Sequence, residues 1–359
     1  MENNKFQIPR KMFLILACLI LMTITVLGVK KYDDTGFYLS AMQQIQGKTP
    51  LYSESQYTFQ VIPMLNNPAI IIIAVLVGKI FGSELFGLFL TNLIFYIATA
   101  MIFYNLALVI FSDRKRALLA SIFWAGNNVI LRFGIGAYLV DMGGWLFYIA
   151  VLYLAVRFYR SQESKFAIMC GLVAAIGLFF KESGGIGILS LITFILLSPQ
   201  SIRNKIILII KSCLFFIINI AYHFWAYFTH GYLYFNRYET VLTNFAPHQK
   251  LINITKTAGY LFSIGWFLGL IGFFDGINKK IENIPDYRKI FYGLLPPAMI
   301  FLAYPAYDIR VISVTIPLLS IMAAAGLTRF KSKYFTYSII TLYVILNFLI
   351  AIKLSHPKI

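Results

Sequence analysis

An all-α polytopic transmembrane helix bundle is the fold this sequence predicts, and three observations carry that prediction. Hydrophobic residues fill 59% of the 359 positions and charged residues 13%, with a mean hydropathy of +0.76. A soluble domain would hold roughly 45–50% and about 25%. Apolar runs of about 15 to 28 residues recur from end to end, the length that crosses or nearly crosses a bilayer as helix. Lys and Arg fall in short clusters between those runs, as topology signals do.

Taken in order, the expected spans are 12–29, 86–111, 117–131, 143–160, 166–180, 184–198, 206–229, 257–275, 290–305, 311–328 and 335–353, about 11 in all. The first follows Lys5, Arg10 and Lys11 but has no small-x-small cleavage signal, so it is expected to be a retained helix. The run Pro68 to Phe81 is about fourteen residues, short for a span, and reads as a juxtamembrane helix at the interface. No charged linker or repeat divides the chain. Residues 1–359 are therefore expected to form a single integral membrane domain, with a first outer loop at 30–85 and another at 230–256.

Charge arithmetic orients the bundle. With 68–81 kept outside and the N-terminus cytoplasmic, nineteen of the 31 basic residues lie inside, in clusters around Lys11, Arg116, Arg160, Lys205, Lys289 and Lys331. Letting 68–81 cross reverses that balance, so the positive-inside rule favours the interfacial placement. The net charge of +17 is scattered rather than gathered in a stripe. It suits anionic lipid headgroups and excludes nucleic acid as the expected partner. Cys18, Cys170 and Cys213 lie within apolar runs without metal-ligand spacing.

Under this topology the outer face collects the polar residues of mixed chemistry. Asp33-Asp34 follow the first span in a chain with only 14 acidic residues. Two adjacent carboxylates repel, so one holds its proton longer or both need a basic or metal partner; either suits a general base acting on a hydroxyl. The alternative is a solvated loop start. Lys181-Glu182 interrupt two apolar segments too short to cross alone, which places their turn below the membrane surface. Charges at that depth line a functional site or pair with each other. Asp141 opens a span, where it either caps the helix or serves the site. Arg310 either pairs with Asp308 or grips a phosphate with its guanidinium fork. The aromatic-rich loop 222–248 reads as an interfacial belt or a sugar-stacking platform. No phosphate-cradling glycine loop, nucleophile elbow or zinc-binding His pair is present in the sequence.

These motifs, in order and on one side, resemble the GT-C superfamily of polytopic glycosyltransferases, especially the protein O-mannosyltransferase and aminoarabinose-transferase type. The residues that carry the resemblance are Asp33, Asp34, Phe37, Tyr38, Ala41, Gly47, Pro50 and Tyr52; Asn67-Pro68 opening a juxtamembrane helix; Asp141; Lys181-Glu182-Ser183-Gly184; and Tyr307, Asp308, Arg310 and Pro317. The resemblance implies transfer of a sugar from a polyprenyl-phosphate donor to a hydroxyl on a lipid, glycan or protein acceptor, at the outer face of the plasma (inner) membrane, with inversion. It implies Asp33 and Asp34 as catalytic residues and Tyr38, Asn67, Asp141, Lys181, Glu182, Tyr307, Asp308 and Arg310 as substrate-binding ones. It requires no organic cofactor and leaves room for a divalent cation. Two rival expectations are a transporter or flippase of a lipid-linked sugar and a non-catalytic membrane assembly subunit.

Overall fold

A computed structural model of the chain describes residues 9–48, 65, 67–230, 258–278, 286–302 and 309–355, with backbone but not side chains at 33, 34, 275–278 and 309. Within them the chain is helical, apart from one isolated parallel bridge between Lys30 and Ala137. The helices are α1 (Arg10–Met22), α2 (Asp33–Ile45), α3 (Pro68–Phe81), α4 (Glu84–Phe111), α5 (Arg114–Ala125), α6 (Asn128–Ile130), α7 (Asp141–Ser161), α8 (Ser164–Leu178), α9 (Glu182–Ile186), α10 (Ile188–Leu197), α11 (Ile202–Cys213), α12 (Ile217–His230), α13 (Gly265–Asn278), α14 (Tyr287–Met299), α15 (Ile309–Ile312), α16 (Ile316–Leu327) and α17 (Lys333–Ser355). The all-α, multi-pass prediction is met.

The expected number of spans is not confirmed. Each of the eleven segments carries helix in its described part, but among the described residues only six helices are long and apolar enough to cross, or seven if α5 and the α6 segment count as one. Local chemistry explains the shortfall. Gly126-Asn127 ends α5, Asn127 Oδ1 accepts from Val129 N at 2.9 Å to start α6, and the axis turns by 55°. Lys181 and the glycines after it split what would be a long hairpin into α8, α9 and α10. Pro296-Pro297 lie inside α14, removing two backbone donors.

α3 is a fourteen-residue helix, as expected, with Pro68 at its first position and Gly82 (φ 71°) closing it in the left-handed conformation that glycine adopts without a Cβ clash. Ser83 Oγ then caps α4 by accepting from Phe86 N at 3.3 Å. α3 packs along α4, and α4 against α5 and α7.

Burial sorts the helices into centre and rim. In the segment Arg310–Leu327 83% of the residues are buried, whereas in the most apolar eighteen-residue stretch of the rod formed by α11 and α12 only 17% are, and the rod presents Ile202, Phe224 and Phe228 outward. In water such a surface would be a liability; in a bilayer it is the lipid contact. The centre is aromatic: Trp124 stacks on Tyr96 with centroids 6.0 Å apart and lies 5.8 Å from Phe103. α13 and α16 cross at Gly272, where an added Cβ would sit 2.0 Å from the Met322 carbonyl, so glycine is required for the backbones to meet.

A buried polar knot secures the C-terminal helix. Asn347 Oδ1 accepts from Asn128 N (3.0 Å) and Asn128 Nδ2 (2.9 Å), Asn347 Nδ2 donates to Ser263 Oγ (3.1 Å), and Tyr343 OH donates to the Phe123 carbonyl (2.8 Å). The knot closes over the α5–α6 break, supplying partners for backbone groups that the break leaves open.

Candidate functional site

Helix ends and turns build the site. α7 begins Asp141-Met-Gly-Gly-Trp, and its first turn faces the α8–α9 corner. A Cβ on Gly144 would lie 2.8 Å from Lys181 Cβ and closer still to Ser183 Oγ, so only glycine there lets the Lys181 turn seat against α7. The corner is tight because Gly177 and Gly184 touch backbone to backbone, with Lys181 N donating to the Gly177 carbonyl at 3.0 Å.

Three charges meet in this seat. Lys181 Nζ donates to Asp141 Oδ1, and Arg310 Nη1 lies 3.8 Å from Asp141 Oδ2. The Asp141 side chain is 2% exposed; Lys181 and Arg310 keep 21% and 23%. At 3.8 Å the Arg310 contact is an ion pair rather than a hydrogen bond. Asp141 Oδ2 is left without a hydrogen bond, as is the buried Ser183 Oγ. Among the described side chains one carboxylate here faces two cations, a half-buried arrangement whose cations could also meet an anionic ligand.

A second layer of cations and rings stands beside it. Arg132 and Arg310 both lie over the Phe133 ring, at 4.6 and 5.7 Å. Arg132 Nε donates to Tyr32 OH at 2.8 Å while its guanidinium lies 5.4 Å from the Tyr32 ring centroid. Arg132 and Phe133 ride on a π-helical turn, Leu131–Ile135, of the kind that re-aims side chains at functional sites.

The same region anchors α2. Lys30 N donates to the Gly136 carbonyl (3.0 Å), Tyr138 N to the Lys30 carbonyl (3.2 Å), and Thr35 Oγ1 to the Tyr138 carbonyl (3.1 Å) while accepting from Tyr32 N (2.9 Å). These bonds hold the first turn of α2, whose first two residues are Asp33 and Asp34, against the 136–138 strap that runs into Asp141.

Asp141, Lys181 and Arg310 therefore come together, although 40 and 129 residues separate them. Asp33 and Asp34 share the neighbourhood by backbone; their side chains lie outside the described residues, as do Tyr307, Asp308 and the loop 231–257. Tyr38 is buried on α2 just beyond Thr35. Asn67 is committed to the fold: its Nδ2 donates to the Phe180 carbonyl at 3.1 Å and Ala69 N to Phe179 at 3.2 Å, which ties the start of α3 to the residue before Lys181. Glu182 opens α9, where a carboxylate opposes the helix dipole.

Two simpler readings of these charges are corrected. Asp141 does not cap α7 by hydrogen bonding, because its carboxylate is turned to Lys181. Lys181 bonds across to α7 rather than only within its own turn. Arg132, Phe133 and Tyr32 were not among the site residues expected from sequence, and Ser183 entered only within the Lys181-Glu182-Ser183-Gly184 motif. The available signal was a lone arginine within an apolar stretch, where charge is costly unless used.

Among the described residues no three His, Cys, Asp or Glu side chains cluster to hold a metal. The surroundings of Asp141 do not fit a divalent cation either, since Lys181 and Arg310 already flank it and would repel one.

Residues 66–225 match the family model of dolichyl-phosphate-mannose-protein mannosyltransferase. No curated protein matches the chain in sequence. In fold it is similar to ArnT from Cupriavidus metallidurans bound to undecaprenyl phosphate, with a TM-score of 0.67 and 12% identity over 93% of this chain and 63% of that one. It is also similar to the Archaeoglobus fulgidus oligosaccharyltransferase in complex with zinc and sulfate, with a TM-score of 0.58 and 13% identity over 95% of this chain and 53% of that one. The chain thus spans between about half and two thirds of the length of these two structures. The resemblance to the GT-C superfamily stands on the family match and on these folds together.

Proposed function

We propose that this chain is a multi-pass membrane glycosyltransferase that moves a sugar from a polyprenyl-phosphate donor to a hydroxyl acceptor at the outer face of the plasma membrane. The observation that carries the reading is the meeting of Asp141, Lys181 and Arg310 beside the helix that begins Asp33-Asp34. The ArnT structure to which the chain is similar holds undecaprenyl phosphate, which supports the donor class.

In this mechanism the lipid tail lies among the outward-facing apolar helices and the phosphate sits at headgroup level, against Lys181 and Arg310. Asp33 or Asp34 takes the proton of the acceptor hydroxyl. The oxygen attacks the anomeric carbon, the bond from that carbon to the phosphate oxygen breaks, and the electron pair leaves on the phosphate. Lys181 and Arg310 stabilise that charge as it develops. A single displacement inverts the anomeric centre. Asp141 positions both cations. The oligosaccharyltransferase contained zinc; in this chain a divalent cation would fall to Asp33 and Asp34, where it would polarise phosphate or acceptor, and no step above depends on it. The cytoplasmic N-terminus rests on the positive-inside balance counted over the eleven expected spans.

The test is transfer by the purified protein in vesicles supplied with a synthetic polyprenyl-phosphate sugar, with polyprenyl phosphate release as the readout. D33N/D34N and R310A are expected to abolish release while inserting normally. A double Asp variant that keeps full release would overturn the base assignment. Movement of the lipid-linked sugar across the bilayer without release would favour a flippase.

A further inference from the structure

A cavity of mixed polar and apolar lining lies at the other end of α8 from the candidate site. Its volume is about 420 Å³, and it is lined by Ser164, Ile168, Gln200, Asn204, Leu208 and Lys211, with Ile207 at its edge. α8 starts at this cavity and ends three residues before Lys181. At 1.5 Å per residue its fifteen residues separate the two sites by about 22 Å, so the cavity faces the leaflet opposite the candidate active site.

We propose that this cavity binds the headgroup of an anionic phospholipid. Its position beside α11 is fixed by close packing. Ser212 Oγ donates to the Ala167 carbonyl (3.0 Å), Asn219 Nδ2 to Ala175 (3.1 Å), and a Cβ on Gly171 would lie 2.0 Å from the Ser212 carbonyl. α11 and α12 thus run parallel to α8, which brings Lys211 level with its first turns. The rod from Ile202 to His230 has 29 residues, about 43 Å against a hydrocarbon thickness of about 30 Å. Centred in the bilayer, it holds Lys211 about 7 Å inside the hydrocarbon boundary, from which its side chain extends toward the headgroups. Among the described residues no carboxylate pairs with Lys211, and a cation at that depth needs a counter-charge.

The rest of the lining matches a phospholipid in kind and order. Gln200, Asn204 and Ser164 offer neutral hydrogen-bonding groups for a phosphoester and glycerol, and Ile168, Ile207 and Leu208 offer an apolar wall for the first acyl carbons. Ile206 and Ile210, 52% and 59% exposed, continue that wall into the lipid. A soluble phosphoester would use the polar half alone, so the apolar half selects the lipid.

Native mass spectrometry of the full chain released from nanodiscs tests this, with phosphatidylglycerol in phosphatidylcholine against phosphatidylcholine alone. The wild type is expected to retain one phosphatidylglycerol that survives activation, and to melt higher in the phosphatidylglycerol discs. K211Q and N204A are each expected to lower that retention at least tenfold, K211R to keep it, and K333Q, an equal charge loss elsewhere, to leave it unchanged. Equal retention by K211Q and the wild type overturns the proposal, as does an equal loss in K333Q. Stabilisation in detergent by glycerol phosphate as great as that by phosphatidylglycerol overturns the lipid assignment in favour of a free phosphoester.

Discussion

Removing Asp141 and Lys181 one at a time and together tests the seat most directly. Asp141 is 2% exposed and Lys181 21%, with a direct hydrogen bond between them. Lys181→Met leaves a buried carboxylate whose remaining cation, Arg310, stands at 3.8 Å without a hydrogen bond. Breaking a buried pair from one side costs about 3–5 kcal/mol; because Lys181 keeps some solvent and Arg310 compensates in part, the lower end, about 3 kcal/mol, is expected. Asp141→Asn instead takes from Lys181 the carboxylate it bonds and from Arg310 the one at 3.8 Å, at a cost of about 2 kcal/mol, the penalty of a buried unmet polar group. The double variant K181M/D141N removes both charges and should cost less than the two single changes added, with a coupling of about 1–3 kcal/mol. Unfolding in mixed micelles gives these values. Adding undecaprenyl phosphate sharpens the test, because an anion can replace the missing carboxylate: the ligand should stabilise D141N more than the wild type and K181M less. Strict additivity of the two changes, or equal stabilisation of all three proteins by the ligand, would refute the account of the seat.

Further expectations follow from neighbouring contacts. Gly144→Ala, whose Cβ would meet Lys181 and Ser183, should lower sugar release at least tenfold while the melting temperature in detergent falls only modestly; unaltered release would show that the Lys181 turn need not seat on α7. Arg132→Lys gives up a planar group held by the Tyr32 hydroxyl and two rings, and should weaken undecaprenyl phosphate binding about tenfold, read by titration in detergent. Asn347→Leu removes the acceptor for two Asn128 donors and should cost about 2–3 kcal/mol, without changing the KM of the protein that remains folded. A larger effect on KM than on stability would place that knot in the site.

Composition and run length made the fold class legible, because a bilayer allows only a few solutions for backbone hydrogen bonding and a chain this apolar has no other solvent. The bounds of α3 were legible from Asn67-Pro68 at one end and Gly82 at the other, since those residue types dictate local backbone geometry. The breaks within the apolar runs were not, because a run of apolar residues does not reveal that Gly126-Asn127 bends the axis by 55° or that Pro296-Pro297 sit inside a helix. Scarcity pointed to Asp141, Lys181 and Arg310: charge is expensive at depth, so each was a candidate by itself. Scarcity could not pair them, and it passed over Arg132, whose stacking on Phe133 and Tyr32 depends on the π-helical turn.

From the order of its residues alone, this protein was bound to be a helical membrane protein with its charges gathered near helix ends, since solvent preference and backbone geometry are local matters. Which charges neutralise which was decided only by folding. Asp141 might have capped its own helix, and it binds Lys181 because Gly144, Gly177 and Gly184 let three backbones approach more closely than any side chain would allow. Electrostatic pairing depends on distance through space, and distance through space is set by packing.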